Sequence, residues 1–259
     1  MDRTPVIGED HKSSPFSTVN RIRFYFSSLL NKIRLFPFYY CMSTTHTATL
    51  VHITSNAEEL ISYMARVSNP SNQTNTQTSA RLVRYLIEHQ HWSPFEMVNM
   101  CVQIETTRSI AAQILRHRSF SFQEFSQRYA SVTSMELPEL PELRRQDTKN
   151  RQNSINDLDP ALINTFEYDI AKHYADCYRL YQRMLDVGIA KECAREVLPL
   201  GTPTKLYMNG SIRSWLHYCD LRTSNGTQKE HAQIAGQIQD LLYQHLPNVS
   251  EAMWNKNLD

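Results

Sequence analysis

Residues 98–129 read VNMCVQIETTRSIAAQILRHRSFSFQEFSQRY. The first eight positions alternate, with Val98, Met100, Val102 and Ile104 on one side and Asn99, Cys101, Gln103 and Glu105 on the other. That two-residue period predicts a half-buried strand. Ile110, Ile114 and Leu115 then fall on one side of a helix. The helix runs out into Arg116–Tyr129, which carries Arg116, His117, Arg118, Ser121, Gln123, Glu124, Ser126 and Arg128 and no long apolar stripe. A strand and a helix thus deliver a dense polar tract to one place.

Toward the N-terminus, HWSPFE (91–96) places His91 just before Pro94 at the entrance to the strand. Leu82, Val83, Leu86 and Ile87 repeat at helical spacing, and a polar loop, 69–78, precedes them. Ser55-x-x-Glu58 has the pattern of a capping box ahead of a short helix with Leu60, Ile61 and Met64. Toward the C-terminus, residues 136–158 are polar, contain Pro138 and Pro141, and read as a loop or insertion. A long helix is predicted from Pro160 to Gly188, since proline favours the first helical position and glycine the exit. Leu162, Phe166, Ile170, Tyr174, Cys177, Tyr181 and Leu185 form its apolar stripe. A short helix before Pro199, a strand near Leu206–Met208, a helix to Leu221 and a last helix capped at Thr227-x-x-Glu230 complete the pattern. Helices dominate and no repeat is present, so the class is α/β or α+β.

The chain has 259 residues, 41% hydrophobic and 20% charged, enough apolar content for a core. Its 6 glycines are about a third of the usual share. Neither G-x-G-x-x-G nor G-x-x-x-x-G-K-[ST] occurs, so side chains must hold any phosphate. The formal charge is +1. Residues 1–41 hold six basic and three acidic groups, net +3, leaving 21 basic against 23 acidic, net −2. The body is therefore not a broadly basic nucleic-acid binder. Cys41, Cys101, Cys177, Cys193 and Cys219 form no C-x-x-C pair, which argues for reduced thiols rather than a disulfide framework or zinc site. No run of about 18 apolar residues is present to span a membrane. Residues 1–41 mix basic and aromatic residues and read either as a transit-type or interfacial segment or as an extension upstream of Met42. Asp2, Glu9 and Asp10 fit a targeting peptide poorly, so an intracellular, cytoplasmic protein is expected, with a working domain over 42–259.

Arginine presents a rigid fork of donors suited to phosphate and carboxylate oxygens. Beyond the 116–128 tract, basic groups recur in AREVLPL at Arg195 and in IRSWLHYCDLR at Arg213, His217 and Arg222. Each alone reads as a surface ion pair or a cation favoured at a helix C-terminus. With His89 and His91 ahead of Pro94 these make four clusters, and four in an acidic-leaning body point to a shared anionic ligand. There is no nucleophile elbow, no H-E-x-x-H and no carboxylate pair with metal spacing, so no metal is expected. Two classes remain: an enzyme acting on a phosphorylated metabolite, and a non-catalytic nucleotide or nucleic-acid binder stacking bases on Phe120, Phe122, Phe125 and Tyr129.

Arg116-His117-Arg118, then Ser126-x-Arg128, resembles the R-H-R-x7-S-x-R signature of the flavin-dependent thymidylate synthases. ARVS (65–68), HWSPFE (91–96), AREVLPL (194–200), IRSW…LR (212–222) and QKEH (228–231) are similar to that family's other motifs, in its order. The resemblance covers roughly residues 50–245 and implies a thymidylate-synthase-complementing-protein-like fold, with a mixed central sheet flanked by long helices. It implies reductive methylation of dUMP to dTMP, the last step of de novo dTMP biosynthesis. 5,10-Methylenetetrahydrofolate would give the carbon, FAD the hydride, and NADPH would reduce the flavin. The family is typically a homotetramer with active sites built from several subunits, and neither a nucleic-acid partner nor a membrane span is implied.

By the same resemblance, Gln113, Glu124, Ser126, Gln127, Arg128, Arg195 and Arg222 would bind dUMP. Ser68, Ser93, Arg116, His117, Arg118, Gln123, Glu124, Arg213, His217 and His231 would bind FAD. Arg222 would act at the pyrimidine carbonyl, and His91 would position the reactants beside the flavin. Gln123 and Ser211 stand where asparagine is common, with Asn209 two residues before the latter. No cysteine falls within the Arg116–Arg128 tract, in keeping with a synthase that activates its nucleotide electrostatically rather than through a thiolate.

Overall fold

A computed structural model describes residues 46–135 and 140–255; the extension expected over 1–41 lies outside them. Strand β1 (Thr47–Ile53) leads to α1 (Ala57–Ala65) and α2 (Ser79–Glu88). Then come β2 (Asn99–Thr107), α3 (Arg108–Ile114) and β3 (Ser121–Glu124). A small hairpin, β4 (Arg145–Gln146) and β5 (Ser154–Ile155), precedes α4 (Pro160–Asp186) and α5 (Lys191–Ala194). Strand β6 (Pro203–Ser211) and helices α6 (Ile212–Arg222), α7 (Lys229–His245) and α8 (Pro247–Trp254) complete the described elements.

The main sheet has the order β1-β2-β6-β3. The expected combination of a sheet with long helices is present, but the sheet is antiparallel in all three pairings rather than mixed. Antiparallel neighbours need no crossover helix between them, so the helices are free to gather elsewhere. At the centre, β2 and β6 pair over their full length, Asn99 with Ser211 through Thr107 with Pro203. The predicted alternation in β2 holds: Met100, Val102 and Ile104 are fully buried, while Asn99 and Glu105 face solvent. Leu206 and Met208 supply the matching buried face of β6.

On that face packs a core of Ile61, Val83, Phe95, Ile110, Ile114, Trp215, Ile234 and Leu242. Trp215 is wholly buried and its indole N–H donates to the Met100 carbonyl at 2.9 Å. The Phe120 ring lies over Gly210, where an added Cβ would come within 2.5 Å of it. Glycine is needed there for close approach: the ring seals the end of β6 against Trp215, with ring centroids 4.7 Å apart.

Both predicted capping boxes are corrected. Asn56, in a left-handed conformation, precedes α1 without a side-chain cap, and Gln228 rather than Thr227 stands ahead of α7. By contrast, Asp159 caps α4 through bonds from Ala161 N and Leu162 N, Pro160 opens it, and Gly188 leaves it at φ 85°. Only Tyr181 of this 27-residue helix is buried; Leu162, Phe166 and Leu180 are nearly half exposed.

Candidate active site

The turn after α3 brings His117 back over α6 and α7. Arg222, in the last turn of α6, donates from Nε to His117 Nε2 at 2.9 Å across 105 residues of sequence. The donor is a guanidinium, so the imidazole accepts at Nε2 and carries its proton on Nδ1. Three rings hold it in place: Tyr218 at 4.9 Å, His231 at 6.3 Å and Phe120 at 6.4 Å, all edge-on. His231 Nε2 and the Tyr218 hydroxyl are 3.0 Å apart, and His231 Nδ1 is buried with no partner.

This pocket keeps its imidazoles neutral. Burial, then the charge of Arg222 and the neighbouring His217, push His117 down to about 4. Burial, then Arg222 and His117, push His231 down to about 3. Burial drives the Tyr218 phenol up, so it stays protonated. Among the described residues, Arg222 is thus the fixed positive charge that acts on both of these neutral imidazoles.

Around this seat, Glu124 of β3 accepts at Oε1 from both Arg108, at the start of α3, and Thr204 Oγ1 (2.9 Å). Gln113 donates to Gln228 at 2.6 Å, which ties α3 to the start of α7. Glu230, two residues further on, bonds Arg144 of the hairpin region at 2.7 Å. Against the cost of its burial, its own backbone amide and Arg144 hold Glu230 below the usual carboxylate range. The segment read as an insertion therefore braces α7.

A second arrangement lies at Ser211 and Arg213. Ser211 Oγ donates to Glu96 Oε2 at 2.5 Å and caps α6 by accepting from Ser214 N, and Arg213 Nη1 donates to Glu96 Oε1 at 2.7 Å. The Ser211 bond first, and Arg213 after it, hold Glu96 below the ordinary carboxylate range despite its partial burial. Ser211 thus has a structural task of its own, and Asn209 pairs with Cys101 and Ser121 within the sheet.

The third arrangement is open. Ser126, Arg128, Tyr129, Ala190, Lys191 and Glu192 line a cleft of about 340 Å³. Arg128 bonds Glu192 at 2.9 Å, yet its side chain is 68% exposed. Gln127 is buried, with its side-chain nitrogen unpartnered.

The structure thus brings His117, Arg222 and His231 together, with His217 close enough to act on His117, and sets Ser126 with Arg128. Arg116, Arg118 and Gln123 are exposed at the same turn and strand. Other expected residues stand apart in this chain. Arg195 pairs with its neighbour Glu196 at 3.6 Å. His91 groups with Tyr85 and His89, and Ser68 and Ser93 are exposed outside α1 and before β2. Sequence reasoning missed Tyr218, Arg108, Thr204 and Glu96. Tyr218 reads as core, and Arg108 and Thr204 meet Glu124 only once β3 and β6 pair.

Edge strand β3 and helices α6 and α7 thus gather arginines, histidines and a carboxylate beside an antiparallel sheet. The chain belongs to the thymidylate synthase complementing protein family, whose profile matches residues 49–248. These are the flavin-dependent thymidylate synthases, so the chain is an enzyme, a methyltransferase. A probable flavin-dependent thymidylate synthase of Paramecium bursaria Chlorella virus 1 is 50% identical over 207 residues, covering 80% of this chain and 95% of that protein. The flavin-dependent thymidylate synthase of Synechocystis sp. is 50% identical over 196 residues, 76% and 89% of the two chains. Among solved structures, the UMP/dUMP methylase PolB of Streptomyces cacaoi, bound with 5-Br dUMP, superposes with a TM-score of 0.69 at 28% identity, over 80% of this chain and 93% of that one. No helix among the described residues is long and apolar enough to cross a membrane.

Proposed function

We propose that this chain converts dUMP to dTMP, taking the carbon from 5,10-methylenetetrahydrofolate and the reducing power from NADPH through bound FAD. The observation that carries the reading is the Arg222–His117 bond, which joins two distant motifs in one pocket. The donor set suits a flavin dinucleotide. Arg116, Arg118 and Arg213 are exposed cations for its phosphates, and Gln123 and His217 offer groups for a ring edge. The unpartnered His231 Nδ1 leaves a buried polar atom for the same ligand. Bound there, reduced FAD supplies a hydride.

The protein's own work is electrostatic. Arg128, with Ser126, Gln127, Gln113 and Arg195, grips the nucleotide, each charge-assisted bond contributing about 1.5–3 kcal/mol. Arg222 stabilises charge that develops on the pyrimidine carbonyl as the ring carbon becomes nucleophilic. Glu124, steadied by Arg108 and Thr204, borders nucleotide and flavin. Arg195, Ser68, Ser93 and His91 complete the site only when another surface carries them to it, which fits a homotetramer. The half-exposed apolar stripe of α4 favours such an assembly.

The test is tritium release from 5-tritiated dUMP by the purified chain. Release should require methylenetetrahydrofolate and NADPH, and the protein should be yellow. A colourless chain that stays inactive with added FAD, but binds oligonucleotides in a salt-dependent way, would favour the non-catalytic reading. Arg116→Ala should chiefly weaken FAD binding, read by flavin fluorescence quenching.

A further inference from the structure

An arginine that must act through its charge needs a partner that orients it without cancelling that charge. A carboxylate would orient Arg222 but neutralise it. In this chain the Nε proton goes instead to an uncharged ring nitrogen, His117 Nε2, at 2.9 Å. Anchoring at Nε leaves both terminal amino groups of the guanidinium, a planar fork of four N–H donors, free to face a ligand.

The imidazole is itself fixed. Tyr218 and His231, themselves 3.0 Å apart from hydroxyl to Nε2, meet its edges, and Phe120 closes the third side. Its backbone is pinned at both ends of the turn, with His117 N bonded to Ile114 O and Phe120 N to His117 O.

We propose that His117 is the positioning residue of Arg222: a neutral imidazole, protonated at Nδ1, that aims the guanidinium at the nucleotide while leaving its full charge available. The proposal rests on the reading of Arg222 as the nucleotide-activating cation, and to the flavin contact that family resemblance gives His117 it adds the task of holding an arginine.

The charged and titratable groups facing this ring are Arg222, His217 and Tyr218 from α6 and His231 from α7, with Arg116 and Arg118 adjacent in its own turn. None is an acid that would favour the protonated ring. Protonation would put a second positive charge against Arg222 and remove the acceptor, so the contact persists at neutral pH and is lost only well below the ordinary imidazole range.

The first measurement does not depend on turnover. In the full chain labelled with ¹⁵N-histidine, long-range ¹H–¹⁵N spectra should show His117, assigned by its loss in His117→Gln, as the Nδ1–H tautomer, untitrated down to pH 5. Its Nε2 resonance should shift in Arg222→Ala. An Nε2–H tautomer, titration near 6.5, or indifference to Arg222→Ala would overturn the proposal.

The second measurement is kinetic, at saturating FAD. His117→Ala should lose about 10²-fold in kcat even where FAD saturates it. His117→Gln, whose amide oxygen reaches the place of Nε2, should recover much of that loss. His117→Glu should not, because it orients Arg222 but cancels it. Restoration of His117→Ala by excess FAD would return the residue to the flavin and overturn the proposal. Wild-type chain without synthase activity, but with the Nδ1–H tautomer and the Arg222-dependent shift, would refute the assigned reaction and leave the contact standing.

Discussion

The Arg222 seat and the Arg128 cleft both offer a guanidinium, and they are built in opposite ways. Arg222 is half-buried among Tyr218, His231 and His117, with its direction set by a ring nitrogen. Arg128 reaches across an open cleft to Glu192, and both side chains are more than half exposed. One cation is positioned before any ligand arrives; the other is held by an ion pair of the solvent-screened kind, which contributes about 0–1 kcal/mol. The seat is suited to stabilising a charge that appears only during reaction. The cleft is suited to exchanging its Glu192 partner for a phosphate.

The largest expected effect comes from dismantling the floor of the seat. Phe120→Ala removes the ring lying on Gly210, Trp215 and Tyr218 and should cost about 3–5 kcal/mol in urea unfolding. Next, Arg222→Ala should lower kcat about 10²- to 10³-fold while flavin stays bound, seen as an unchanged absorption spectrum. Parallel loss of flavin would show that the seat serves the cofactor instead. In the cleft, Arg128→Ala should raise the KM for dUMP about 10- to 100-fold and leave the urea midpoint almost unmoved. A marked fall in stability would make the two regions alike.

The smallest effect is a slope. His117 and His231 sit at about 4 and about 3 in the fold and near 6.5 when unfolded. Above that value both states are neutral and pH has no leverage. As pH falls from 6.5 toward 4, the unfolded chain takes up protons that the native one refuses, so stability drops. The ceiling is about 1.4 kcal/mol per pH unit for each histidine, and half-exposed His117 contributes less than that. Urea midpoints between pH 7 and pH 4.5 should decline, and less steeply in His231→Asn, whereas Arg128→Ala should leave the slope unchanged.

The residue types of the proposed site were legible in the sequence because they form one dense polar tract: R-H-R, Ser126 and Arg128 are conspicuous whatever the fold. Strand β2 was legible because one of its faces is buried and its period shows. Strand β3 was not, since Ser121–Glu124 lies inside that polar tract and becomes a strand only by pairing with Leu206–Asn209. Only Leu206–Met208 of β6 was read, because Thr204, Lys205, Asn209 and Gly210 interrupt the alternation that β2 enforces by pairing. The two capping boxes failed because a spacing rule does not see that Asn56 turns left-handed or that the chain ahead of α7 is fixed by Gln113 and Arg144. The partner of Arg222 was hidden for a similar reason: an R-H-R triplet shows three candidate ligands, and only folding makes the middle one an acceptor.

At the far edge of the sheet, Gln237 of α7 accepts from Ala48 N and donates to His46 O, both at 2.8 Å. A side-chain amide there imitates one rung of a neighbouring strand. The first rung of β1's outer margin is thereby occupied where another polypeptide would begin to zip onto it, so the helix that carries His231 at its beginning also blunts, two turns later, the exposed edge of the sheet.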